Sequence, residues 1–133
     1  MATSRILDCF AISDLASGKA KYVEAVIQLS SHIQLIVPAV SLVAGLSRIE
    51  DGEYGAVKAL MNLPATSLID TSDTVDTIIM LARKGHLKPP HRSIIAAIVG
   101  DAGKRYNAPV LTSDPGPLQR LWPEGLVDAY VLR

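Results

Sequence analysis

Pro109-Val110-Leu111-Thr112-Ser113-Asp114 is the stretch on which the reading of the fold turns. A short apolar run passes without alternation into a Thr-Ser pair and a carboxylate. Strands that alternate apolar and polar residues have one face in water. A continuous apolar run is instead the habit of a parallel strand buried on both faces. Working outward, three comparable runs precede it: Arg5-Ile6-Leu7-Asp8, Ile33-Gln34-Leu35-Ile36-Val37 ending at Pro38, and Thr66-Ser67-Leu68-Ile69-Asp70. A fifth, weaker candidate is Ala129-Tyr130-Val131-Leu132.

Helical patterns lie between these runs. Lys21 to Ser30 carries Tyr22, Val23, Val26, Ile27 and Leu29, and Pro38 suits the first turn of the next helix, with Leu42, Leu46 and Ile49 on its apolar face. Val57 to Leu63 reads as a short helix. Ser72 is a candidate N-cap for a helix to about Arg83, with Asp73 and Asp76 near its positive end. Ser93 to Tyr106 places Ile94, Ile95, Ile98, Val99 and Ala102 on one broad face. Strand and helix alternate, so the expected class is α/β with a mainly parallel sheet of about five strands. At 133 residues, with no repeat, no low-complexity tract and evenly spaced Pro and Gly, residues 1–133 read as a single domain.

Composition excludes several function classes. Thirteen Lys and Arg balance thirteen Asp and Glu, which rules out a nucleic-acid binder that is basic all over but allows a local basic face. The lone Cys9 excludes an intrachain disulfide and a cysteine-based zinc site. A reducing cytoplasm is therefore the expected compartment. Mean hydropathy is positive at +0.28, yet no apolar run is long enough to cross a membrane and the N-terminus lacks the pattern of a signal peptide. Gly100, Gly103, Gly116 and Gly125 fit no phosphate-cradling motif. His32, His86 and His91 show no metal-ligand spacing. Six aromatic residues in all argue against a base-stacking platform.

Ligands of open parallel sheets bind beyond the carboxyl ends of the strands. The carboxylates at those ends are Asp8, Asp70 and Asp114. Gathered at one crevice, such groups can hold a hard divalent cation and activate water for phosphodiester hydrolysis. Each can equally be the N-cap of the following helix, and Asp70, in Asp70-Thr71-Ser72-Asp73, fits that role best.

The order and spacing of these segments resemble the PIN domain family. Arg5-Ile6-Leu7-Asp8-Cys9-Phe10-Ala11-Ile12 is similar to its first strand, and Ile36-Val37-Pro38-Ala39-Val40-Ser41-Leu42 to its second strand and following helix. Tyr106-Asn107-Ala108-Pro109-Val110-Leu111-Thr112-Ser113-Asp114-Pro115 is similar to its fourth strand with a Thr-Ser-Asp end. The length is that of single-domain VapC-type toxins. The resemblance implies a three-layer sandwich, a five-stranded parallel sheet between helices, and a Mg²⁺- or Mn²⁺-dependent endoribonuclease. It assigns metal binding and catalysis to Asp8 and Asp114 and places Thr112 and Ser113 beside the substrate. It also implies RNA as substrate, an antitoxin-like protein partner and a homodimer, with no membrane.

Two positions depart from the family pattern. The Glu expected in the helix after the second strand falls on Ala44, with Gly45 the near alternative. Glu50, six residues on, is displaced by about 9 Å along a helix and turned by about 120°. The Asp expected at the start of the long late helix falls on Arg92 or His91. Arg92 is thus a candidate substrate or carboxylate partner, pairing with Asp8 or Asp114 in place of the metal's charge, or else a solvated first-turn residue. Asp101 lies about half a helical circumference away from Arg92. Asp14, Asp70 and Asp73 are left as further acids near the site. Arg83-Lys84-Gly85-His86-Leu87-Lys88, with Lys19 and Lys21, offers a basic rim for phosphates or simply a solvated helix end. Cys9 reads as a small buried residue on the strand, and Trp122 as a packing or oligomer contact. Besides the nuclease, a catalytically inactive PIN domain that binds protein or RNA and an unrelated small-molecule-binding α/β domain remain as alternatives.

Overall fold

The computed structural model describes residues 3–19, 21–28, 33–69 and 90–131, with only the backbone of residues 3 and 90–94. The helix expected from Ser72 to Arg83, Asp70, Asp73, the basic run 83–88, His32 and His86 lie outside the described residues, as do the side chains of His91 and Arg92.

Five strands form one sheet: β1 (Thr3–Leu7), β2 (Ile33–Pro38), β3 (Thr66–Ile69), β4 (Val110–Thr112) and β5 (Val127–Ala129). Their order is β3-β2-β1-β4-β5, and every pairing is parallel. The chain winds outward from β1 in one direction and then returns to its other side. The β1–β4 boundary is therefore the switch point where the carboxyl ends open a crevice. The helices are α1 (Cys9–Ala16), α2 (Lys21–Gln28), α3 (Ala39–Leu46), α4 (Tyr54–Met61), α5 (Pro90–Tyr106) and α6 (Gly116–Leu121).

The continuous apolar runs have the expected cause. Ile6, Ile36 and Val110 face α5 and α6, while Leu7, Leu35, Val37 and Leu111 face the layer of α1, α2 and α4. Side chains still alternate along each strand, but both faces are covered. Each Ile or Leu so enclosed contributes roughly 1.5–3 kcal/mol of burial. Tyr106 ends α5, and Asn107 (φ 49°) turns the chain left-handed so that the Ala108 N–H reaches the Gly103 carbonyl at 2.9 Å. This closure delivers Val110 into β4.

Several boundaries differ from the sequence reading. Pro38 ends β2, pairing in register with Ile69, and caps α3 rather than opening it. The strand expected at Ala129–Leu132 begins earlier, at Val127, which pairs in register with Val110, and Leu132 lies outside the described residues. The helix expected from Val57 starts at Tyr54, after a 3₁₀ turn at Asp51–Glu53 in which Glu50 and Glu53 reciprocally cap each other's backbone. Glu50 is thereby committed to a cap. Two helices are additions. Cys9 opens α1 instead of extending the strand, and Pro115-Gly116-Pro117 begins α6 where the residue types suggest only a turn.

Candidate functional site

Asp8 follows the last residue of β1 and stands at the N-cap of α1. Its Oδ1 accepts the Ala11 N–H at 2.8 Å, satisfying one orphan donor of the helix. The capping role and the strand-end role thus fall on the same residue. Asp114 follows β4, the neighbour of β1, and its N–H donates to Thr112 Oγ1 at 3.0 Å. The two carboxylates line one cleft of about 170 Å³, whose wall also includes Ala44, Arg48, Ile95 and Leu118. The structure thereby brings together both acids named from sequence, on the two strands that flank the switch point. A larger cavity of about 520 Å³ lies between α5, α6 and the loop after Trp122, and neither acid lines it.

Asp8 is only 4% exposed. Burial raises its carboxyl to a pKa of about 7, against the lowering effect of hydrogen bonds from Thr112 and the Ala11 N–H, and nearby Asp14 raises it further. Burial likewise lifts the Cys9 thiol to about 11, with Asp8 adding to the rise. Cys9 is therefore a packed, unreactive thiol, as its residue type suggests, though on a helix.

Asp14, left open by the sequence, lies behind this cleft. It is buried, and its Oδ2 accepts from Ser113 Oγ at 2.8 Å and from the Tyr130 hydroxyl at 2.7 Å. Burial, then the hydrogen bond to Asp14, push the Tyr130 phenol well above its ordinary range. Ser113 thus braces Asp14, and Thr112, fully buried, holds the segment carrying Asp114. Sequence offered only weak signals for this group, because Tyr130 and Asp14 are far apart along the chain.

The fate of the missing Glu is decided by packing. Ala44 lines the cleft. A Cβ at Gly45 would stand 2.8 Å from Ile12 Cγ2 and 3.2 Å from the Cys9 carbonyl, so Gly45 is the close approach of α3 to α1. The position facing the carboxylates is Ala44. Arg92 lies in the first turn of α5, with its side chain outside the description. Asp101 is buried on α5 and does not line the cleft, and its nearest cation is Arg105 at 3.9 Å. Lys19 and Lys21 are exposed and do not line the cleft either. Trp122 packs on α5, where Gly100 leaves room for its indole.

Among the described residues no group of three or more His, Cys, Asp or Glu forms a metal cage. Two carboxylates at one cleft nevertheless fit Mg²⁺, a hard ion that keeps several waters and takes one or two protein carboxylates. The donor set thus suits a hydrated cation on Asp8 and Asp114. No described helix is long and apolar enough to cross a membrane.

No protein-family profile matches the chain, and no curated protein matches it in sequence. Solved structures do. One is a chain of VapBC2 from Rickettsia felis, determined bound to a DNA fragment from their promoter, with a TM-score of 0.63 and 16% sequence identity over 96% of this chain and 99% of that one. At that identity the likeness is one of fold. The all-parallel five-stranded sheet flanked by helices is PIN-like.

Proposed function

We propose that this chain is a PIN-type, divalent-metal-dependent endoribonuclease of the VapC kind, hydrolysing RNA phosphodiesters. The observation that carries the reading is the convergence of Asp8 and Asp114 on one cleft at the β1–β4 switch point. Asp8 and Asp114 would hold Mg²⁺ or Mn²⁺, which supplies a polarised phosphate and an activated water when bound. In the hydrolysis, a water oxygen bonds to phosphorus, the bond to the leaving sugar oxygen breaks, and that oxygen gains the proton. The chain's own part is positional. Thr112 holds Asp8 and the Asp114 backbone, and Ser113 ties the end of β4 to Asp14. An antitoxin-like protein partner, a homodimer and a cytoplasmic setting belong to the same proposal. Val43 and Leu68, 68% and 55% exposed, support an apolar interface.

A second reading has its own observation. Ala44 occupies the cleft wall where a third acid would sit, which favours a catalytically inactive PIN domain that binds RNA or protein. One experiment separates the two. RNA is incubated with and without Mg²⁺, using wild type and Asp8→Ala. Mg²⁺-dependent cleavage that disappears in Asp8→Ala supports the nuclease. Equal inertness of both proteins, each folded by circular dichroism, supports the binding module.

A further inference from the structure

Arg48 follows the end of α3 and lines the same cleft as Asp8 and Asp114. Its guanidinium is anchored twice on α1, the helix that Asp8 caps. The Cζ atom lies 4.6 Å from the Phe10 ring centroid, a cation–π contact. Its Nε donates to Ser13 Oγ at 3.4 Å, and that hydroxyl is itself fixed by donating to the Phe10 carbonyl at 3.2 Å. Ser13 is 6% exposed, so the anchor is built into the helix rather than resting on its surface.

What the anchor leaves open matters more. Among the described residues, the ion pairs of arginines are Arg5 with Asp128 and Arg105 with Asp101, and Arg48 has no carboxylate at ion-pair distance. Of its five N–H donors, the Ser13 contact uses one. A planar fork with donors unused among the described residues, held beside two carboxylates, matches the non-bridging oxygens of a phosphate. The ring beneath the guanidinium is protein, whereas Arg48 itself is exposed, so its outer face is open to stacking by a nucleobase. A carboxylate side chain of a protein would use the fork but not that face.

We propose that Arg48 is a phosphate-binding residue of this cleft, taking the backbone of a single-stranded nucleic acid beside Asp8 and Asp114. The inference rests on the RNA substrate of the proposed nuclease and names the cation that holds it. With Ala44 in place of an acid, the cleft has fewer negative groups to repel the phosphate than a full acidic set would present.

The test is binding, measured without metal. Fluorescence anisotropy of a short labelled single-stranded RNA, and of DNA of the same sequence, is recorded in EDTA from about 50 to 200 mM salt. Wild type is compared with Arg48→Ala, Arg48→Lys and a control, Arg120→Ala, at an exposed residue that does not line the cleft. Arg48→Ala is expected to weaken binding about tenfold and to flatten the log–log salt slope by about 0.7, one phosphate contact on a single strand. Arg48→Lys keeps the slope and loses part of the affinity, because it keeps the charge without the fork. Circular dichroism melts report folding, and Arg48→Lys carries the test should Arg48→Ala not fold. RNA preference and equal binding of DNA both support a backbone contact. Unchanged affinity and slope in a folded Arg48→Ala, or equal losses in Arg120→Ala, overturn it. So does Arg48-dependent binding of an acidic peptide without binding of RNA. Mg²⁺-dependent cleavage with Arg48-independent binding overturns this assignment and leaves the nuclease standing. Arg48-dependent binding with no cleavage supports the assignment and removes the nuclease. A chain that binds neither strand overturns the assignment, while the nuclease stands or falls on the Mg²⁺-dependent cleavage assay.

Discussion

Asp8, which caps α1, and Asp14, which lies within it, are both buried carboxylates, and the fold surrounds them differently. Asp14 is enclosed by donors: two hydroxyls, from Ser113 and Tyr130, end on one of its oxygens. Asp8 is met by the Thr112 side chain and by the backbone of Ala11 and Phe10, but burial still dominates and lifts its pKa to about 7. The first arrangement ties α1 to the ends of β4 and β5. The second leaves a carboxyl whose charged form is disfavoured by burial. Donors alone do not set the difference: the depth of burial of Asp8 outweighs the hydrogen bonds it receives.

The sharpest way to break this contrast is Asp8→Asn in EDTA. Because the folded pKa lies above the ordinary 3.8, the contribution of Asp8 is fully present below pH 3.8 and is lost as pH rises through about 7. Asparagine keeps the N-cap acceptor and carries no charge. The variant should therefore melt close to wild type at pH 4 and be more stable at pH 8, by up to about 4 kcal/mol. A variant less stable than wild type at pH 8 would show that the two acids are alike. Asp14→Ala should do the reverse and lose about 2 kcal/mol in urea unfolding at pH 7, since it orphans the buried Tyr130 hydroxyl and the half-buried Ser113 hydroxyl. It should also move the titration of Asp8 to lower pH, because Asp14 contributes to its elevation. Ala44→Glu adds an acid on the Asp8 side of the comparison. Mg²⁺ affinity measured by calorimetry should rise about tenfold, or about 1.4 kcal/mol. No change would mean that the cleft does not hold the cation through these residues. Tyr130→Phe, the mildest change, should cost about 1 kcal/mol and leave Mg²⁺ affinity untouched.

The same contrast explains what was legible in the sequence. Strand cores such as Ile6-Leu7 and Val110-Leu111 advertise themselves because burial on both faces leaves no polar residue within them. Asp8 and Asp114 were legible for a related reason: a carboxylate directly after such a run stands at the sheet's carboxyl edge. Helix α1 was hidden because Cys9-Phe10-Ala11-Ile12 continues the apolar run, and only the cap on Asp8 ends the strand. Asp14 and Tyr130 meet through the tertiary fold, which no local pattern reports. Arg48 looks like an ordinary cation after a helix C-terminus, where the dipole favours one, and its anchoring on Phe10 and Ser13 is a contact between elements. Gly45 and Ala44 could be told apart only once α3 was seen against Ile12.

The strand order has a kinetic consequence. β1 sits in the middle of the sheet, and its partner β4 is made more than a hundred residues later, with Ile6 registered on Val110. High contact order slows folding, since the loop must close before the pairing is rewarded. On the ribosome, β1 can pair with β2 long before Asp114 is synthesised. The edge of β1 that takes β4 stays unpaired until then, and a cleft lined by both Asp8 and Asp114 requires β4 to dock.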